Sequence, residues 1–211
     1  MKKTLSLIAI ASSLLLTSQA SAKDGFYVGA DLVLSNAKYK YHNKTNEDYT
    51  GGERYVGKID GNGVGTGVSM GYKKSFNQVF IAPEIFYDYL NLSSKDYFHV
   101  TAPYHQDTME LRSRYGAKAN FGYDFNKSFS AYFTYGLANV SYINRVPSSN
   151  RSEGEAKISQ IYGLGAMFKI NDSWAVKAEF NQQKFNARYF NEGVISKVRL
   201  DVFKTGLVYN F

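Results

Sequence analysis

The chain has 211 residues and a formal net charge of +7, from 25 basic and 18 acidic side chains, and it contains no cysteine. That excludes a disulfide framework and cysteine-based metal or nucleophile chemistry, and a small positive balance spread along the chain supplies no basic stripe for nucleic acid. Tyrosine (18) and phenylalanine (15) are abundant although mean hydropathy is negative, so apolar surface must be coded by spacing and not by long runs.

Lys2 and Lys3, an apolar stretch over residues 5–16 and the small residues Ala20, Ser21 and Ala22 have the layout of a secretory signal peptide. The apolar stretch is too short for a spanning helix, which needs roughly 20 residues. Cleavage is expected after Ala22, giving a signal peptide over 1–22 and a single domain over 23–211, with 23 basic against 18 acidic residues and a charge of +5.

From Gly25 the chain alternates, with Phe26, Val28, Ala30, Leu32 and Leu34 on one face and Tyr27, Gly29, Asp31 and Val33 on the other, which is the period of a strand. In the second segment Val64, Thr66, Val68, Met70 and Tyr72 interleave with Gly63, Gly65, Gly67, Ser69 and Gly71. A face of glycines implies bulky side chains packed across a narrow interior. The third sets Val79, Ile81, Ile85, Tyr87 and Tyr89 against Phe80, Ala82, Glu84, Phe86 and Asp88, with a bulge or distortion expected at Pro83, which has no N–H for the ladder. The fourth is expected to face Leu111, Tyr115, Ala117, Ala119, Phe121 and Tyr123 outward, with Glu110, Arg112, Arg114, Lys118 and Asn120 opposite. Ala131, Phe133, Tyr135 and Leu137 give the lipid-like face of the fifth, Tyr162, Leu164, Ala166 and Phe168 of the sixth, and Trp174, Val176, Ala178 and Phe180 of the seventh; an eighth ends at Phe211.

Three connections, 73–77, 124–127 and 171–173, are short and polar, and four, 36–60, 91–108, 144–156 and 186–197, are long. This alternation fits periplasmic turns and extracellular loops, with both termini inside. Aromatics fall where two interfacial girdles would lie: Tyr72, Phe76, Tyr123, Phe129, Trp174 and Tyr209 near the turns, and Tyr41, Tyr87, Tyr89, Tyr142 and Phe185 near the loops. The expected fold is all-β, an eight-stranded antiparallel up-and-down transmembrane β-barrel in the bacterial outer membrane. A soluble barrel or sandwich is the competing arrangement, but its outer face would be polar.

The ending FKTGLVYNF places Phe203, Thr205, Leu207, Tyr209 and Phe211 on one stripe. With Gly206, Tyr209 and the terminal Phe211 it looks like the C-terminal assembly signal of outer-membrane barrels, which the barrel-assembly machinery reads. Together with FYVGADL, APEIFYDY and WAVKAEF it makes the chain resemble the small surface-antigen barrels typified by the OmpA membrane domain and the opacity proteins. The resemblance implies a surface protein with a structural or antigen role, adhesin activity through its loops, or a narrow pore. Fold alone does not decide among these.

Glu84, Asp88 and Glu179 against Arg112, Arg114, Lys118, Lys177 and Lys204 are expected inside the barrel. An eight-stranded lumen is filled by side chains, and buried charges must pair, so a structural ion-pair network is preferred and a gate that opens by re-pairing is the alternative. His42, His99 and His105 all fall in expected loops; His99, His105, Asp96 and Asp107 share one, but their spacing matches no metal or catalytic motif. The absence of a histidine after His105 speaks against the lipid-modifying barrels. An enzyme at the rim is therefore the remote alternative, and no cofactor is expected. In the first loop Tyr39, Tyr41, Tyr49, Arg54 and Tyr55 are candidate contacts to a host or neighbouring-cell surface protein, with a solvated loop tip as the plainer account. Loop lysines and arginines can also hold lipopolysaccharide phosphates. The remaining expected partners are the outer-membrane lipid and the assembly machinery.

Overall fold

The computed structural model describes residues 24–42, 58–98, 105–146, 151–188 and 195–211. They form β1 (Gly25–His42), β2 (Lys58–Phe76), β3 (Val79–Phe98), β4 (His105–Asp124), β5 (Phe129–Val146), β6 (Arg151–Lys169), β7 (Trp174–Arg188) and β8 (Ile195–Asn210). Each strand pairs antiparallel with the next and β8 closes on β1, so the meander is a closed eight-stranded barrel. Closure leaves the sheet without edges, which is what allows a sheet to stand in lipid.

The periplasmic turns are made by asparagines. Asn77 adopts a left-handed φ of 60° in the tightest of them, and Asn tolerates that conformation better than most residues. In the other two, one device recurs: Asn126 Oδ1 accepts from the backbone N–H groups of Ser128 and Phe129, both at 2.8 Å, and Asn171 Oδ1 accepts from those of Ser173 at 3.0 Å and Trp174 at 2.8 Å.

The lipid-facing band follows the expected parity on seven strands, with Leu32, Leu34, Val68, Ile85, Tyr87, Phe133, Leu137, Leu164, Phe180, Phe203 and Leu207 among its exposed apolar side chains. On β4 the parity changes. The β4–β5 register passes from Leu111↔Tyr142 to Ser113↔Ser141, leaving Arg112 as an extra residue. This bulge turns Leu111 into the lumen, fully buried, and Arg112 out, where it pairs with Glu110 at 3.2 Å. Arg112 is thus no member of the lumen network. At Pro83 there is a local distortion and no bulge: the β2–β3 register is the same at Gly71↔Glu84 and at Lys74↔Ile81, but the rungs between them are missing.

The strands also run 15–20 residues, where a tilted strand crosses a bilayer in about 9–11. Residues expected in loops therefore stand in strands. The reason is an inversion of polarity. In β8, Phe203 and Leu207 face out and Lys204 faces in, whereas nearer the extracellular end Lys197 and Arg199 face out and Val198, Leu200 and Val202 face in. A search for apolar outward faces loses the strand at this point although the ladder continues. The upper lumen is an apolar core that includes Val33, Tyr39, Leu90, Leu92, Leu111, Tyr142, Phe185 and Leu200. Tyr142 and Phe185, expected in the outer girdle, lie in this core, and Tyr87 and Tyr89 are on the outer surface as expected.

Candidate functional site

Between the apolar upper core and a lower cluster of Tyr27, Phe80, Ala82, Tyr132, Ala175 and Val208 lies a layer of buried charge. Asp31 comes from β1, Glu84 and Asp88 from β3, Arg114 and Lys118 from β4, Lys177 and Glu179 from β7, and Lys204 from β8. Four carboxylates meet four cations, so the layer is neutral. Alternation on each strand aims these side chains inward, and the uninterrupted β3–β4 register from Val79↔Tyr123 to Tyr89↔Ser113 sets Arg114 opposite Asp88; the bulge at Arg112 begins only beyond this pair.

The groups form two strings. Arg114 donates from Nε to Asp88 Oδ2 at 2.9 Å. Lys204 Nζ lies 2.7 Å from Asp88 Oδ1 and 3.1 Å from Asp31 Oδ2, and Lys177 Nζ donates to Asp31 Oδ2 at 3.1 Å. In the second string Lys118 bridges Glu84, at 3.2 Å, and Glu179. Tyr27 donates to Glu84 Oε2 at 2.8 Å, Asn120 to the same oxygen at 3.2 Å, Tyr132 to Glu179 Oε2 at 3.0 Å and Asn181 to Glu179 Oε1 at 2.8 Å. Phe86 stands between the strings, its ring centroid 5.4 Å from Arg114, 5.6 Å from Lys118 and 5.3 Å from Lys204, within cation–π range of all three.

Glycines opposite make room for this layer, as their clustering on one face predicts. Gly165 lies against the Tyr132 ring, and Gly206 leaves space for the Asp31 carboxylate, its cross-strand partner. Below, Lys73 closes the periplasmic mouth by pairing with Asp124 at 2.8 Å and covering the Phe80 ring at 4.0 Å.

Of the eight expected lumen charges, Glu84, Asp88, Arg114, Lys118, Lys177, Glu179 and Lys204 are brought together and Arg112 is not. Asp31 is the member that sequence reasoning missed. Two signals pointed to it: its place on the glycine-bearing face of β1, and the excess of five cations over three acids in the expected set, which a dry lumen would not hold.

Tyr39 lies in β1 and is fully buried in the upper core, so it is no exposed contact residue. Tyr41 also stands in β1, opposite Ser196, and Tyr49, Arg54 and Tyr55 lie outside the described residues. His42 ends β1, His105 opens β4, and Asp96 and Asp107 are register partners on β3 and β4, not loop neighbours; His99 lies outside the described residues. Of the terminal stripe, Phe203 and Leu207 are exposed, while Tyr209 packs edge-on against Trp174 and Phe211 with centroids 5.0 and 4.9 Å away.

Among solved structures the chain is similar to the outer membrane protein OprG from Pseudomonas aeruginosa, with a TM-score of 0.60 at 11% identity over 90% of this chain and 97% of that one. It is similar to the outer membrane protease OmpT from Escherichia coli at 0.53 and 8% identity, over 92% and 99%. Against Ail, the attachment invasion locus protein of Yersinia pestis, the values are 0.44 and 15%, over 89% and 99%. At such identities the likeness is one of fold. No curated protein matches the sequence. The family model described as outer membrane protein beta-barrel domain matches residues 5–211. The chain therefore belongs to that family and is a protein of the bacterial outer membrane.

Proposed function

We propose that the protein is a non-conducting surface barrel with a structural and antigen role, and that it engages a host or neighbouring-cell surface protein through the loops at its extracellular end. The filled lumen carries this reading: a neutral ionic layer is held between an apolar core above and an aromatic cluster below. Re-pairing of Lys118 between Glu84 and Glu179 would leave both flanking layers in place, so the ionic layer alone gives no water path. The same reading makes the protein no enzyme. Export by the signal peptide over 1–22 and recognition of Gly206, Tyr209 and Phe211 by the barrel-assembly machinery belong to it.

The test is planar-bilayer conductance of the refolded barrel, with heat-modifiable gel migration as the control for folding. A folded, silent barrel whose cell binding is lost when segments 43–57 and 99–104 are exchanged for short linkers supports the proposal. Steady ion-selective steps that disappear in Glu84→Gln or Lys118→Met would replace it with a channel.

A further inference from the structure

The outer wall carries a second charged feature, on β7, β8 and β1. Above the last apolar row, Phe180–Phe203–Leu34, the outward rows are Gln182–Asp201–Asn36, then Lys184–Arg199–Lys38, then Asn186–Lys197. Arg199 is thus the direct cross-strand neighbour of two lysines. Directly opposed like charges destabilise a strand pair, and the one carboxylate that these three strands bring to this face, Asp201, is shared between Arg199 at 3.0 Å and Gln182 at 2.7 Å. These four cations border a cleft of about 520 Å³ with Phe185, Asn186 and Val198.

The feature is one-sided. At comparable height the outward side chains of the other wall, among the described residues, are Asn62 on β2, Asn91 and Ser93 on β3, Asn139 and Ser141 on β5, and Ile158 and Gln160 on β6, and Arg112 on β4 is paired with Glu110. A general interfacial girdle would surround the barrel; this patch does not. Two residues along a strand tilted by about 40° rise roughly 5 Å, which sets the Lys184–Arg199–Lys38 row about 10 Å above the last apolar row. Lipid headgroups occupy that zone, and lysine stems can lower their ammonium groups further into it.

We propose that Lys38, Lys184, Lys197 and Arg199 form a site for the phosphate-bearing headgroup of an outer-leaflet lipid. The row continues on β2 at Asp60, the register partner of Lys38, so it sets three cations against one carboxylate; phosphate supplies the remaining counter-charge, and Arg199 offers it the paired donors that suit phosphate geometry. The acyl chains lie below, along Phe180, Phe203 and Leu34.

The test is titration of the folded protein in detergent with three probes: lipid A carrying both phosphates, lipid A stripped of them, and inorganic pyrophosphate. One bis-phosphorylated lipid is expected to bind per barrel. The triple variant Lys184→Gln, Lys197→Gln, Arg199→Gln is expected to bind on the order of a hundredfold more weakly, from roughly a fivefold loss per charge, while keeping its heat-modifiable gel shift. Arg112→Gln binds as the parent does, and the double variant Lys184→Arg, Lys197→Arg retains binding. If the triple variant does not fold, Lys197→Gln alone is expected to lose about fivefold. Undiminished binding by the variant that folds, or equal binding of the stripped lipid, overturns the site. Pyrophosphate displacing the lipid at equal concentration overturns the lipid as its occupant and leaves a soluble anion.

Discussion

At the scale of single residues, the lumen is governed by charge balance. Arg112 and Asp31 show how much of it could be read from the chain. Both sit in alternating segments, and parity alone places Asp31 inside correctly, but parity fails for Arg112 because a bulge adds one residue and turns everything beyond it over. A bulge leaves no composition signal, whereas neutrality does, since exchanging Arg112 for Asp31 converts three acids and five cations into four of each. Lys118 is where that balance is most exposed, because two carboxylates depend on it. Lys118→Met strands Glu84 and Glu179 together and is expected to destabilise the barrel by about 3–5 kcal/mol. Adding Glu179→Gln restores neutrality with three acids and three cations, and Glu84 keeps Tyr27 and Asn120 as donors. The double variant should therefore be more stable than Lys118→Met alone, as read from urea midpoints followed by gel shift. Strict additivity of the two single effects would show that the string is not coupled.

At the scale of elements, the strands were legible wherever lipid faces them and poorly legible above it. Eight strands, their order and the three short turns follow from alternation and from Asn-bearing polar segments. The ends at His42, Phe98, Val146 and Arg188 do not, because the apolar face changes sides along the strand. One seam is weaker than the rest. Among the described residues β6 and β7 pair only from Ile161↔Gln183 to Lys169↔Ala175, after which residues 156–160 pair with β5 and 184–188 with β8. At the opposite end the start of β1 is fastened to the end of β2: Asp24 accepts from Lys74 Nζ at 2.6 Å and from the Ser75 backbone N–H at 2.7 Å. The hydrogen bond from Lys74, followed by that from Ser75, holds the Asp24 carboxyl below its ordinary value of 3.8. A depressed folded value means that this contact stabilises the fold above pH 3.8 and is lost as pH falls through the lower value. Asp24 is exposed, so the effect is local. Amide exchange at Gly25, Phe26 and Ser75 should accelerate as pH is lowered through that range, after correction for intrinsic rates. Asp24→Asn should abolish that acceleration, and an unchanged acid response in the variant would assign it to another group.

The molecule as a whole joins two kinds of protein along one set of strands. In the bilayer it is apolar outside and ionic inside; above the bilayer it is polar outside and apolar inside, like a soluble barrel, so the upper part needs no lipid to bury its core. Leu200 and Leu207 on β8 test this distinction, since the first is fully buried in the upper core and the second faces lipid. Leu200→Ala removes apolar contact and leaves a cavity, at an expected cost of about 3–5 kcal/mol. Leu207→Ala removes similar apolar area, but acyl chains move into the gap, so only the transfer part of about 2 kcal/mol is lost. Measured as urea midpoints, the Leu207 effect should change with acyl-chain length and the Leu200 effect should not. A Leu200→Ala cost below about 1 kcal/mol would mean that water already reaches the upper lumen. The barrel would then be closed only by its ionic layer, and the case for a surface pedestal over a pore would lose its main physical support.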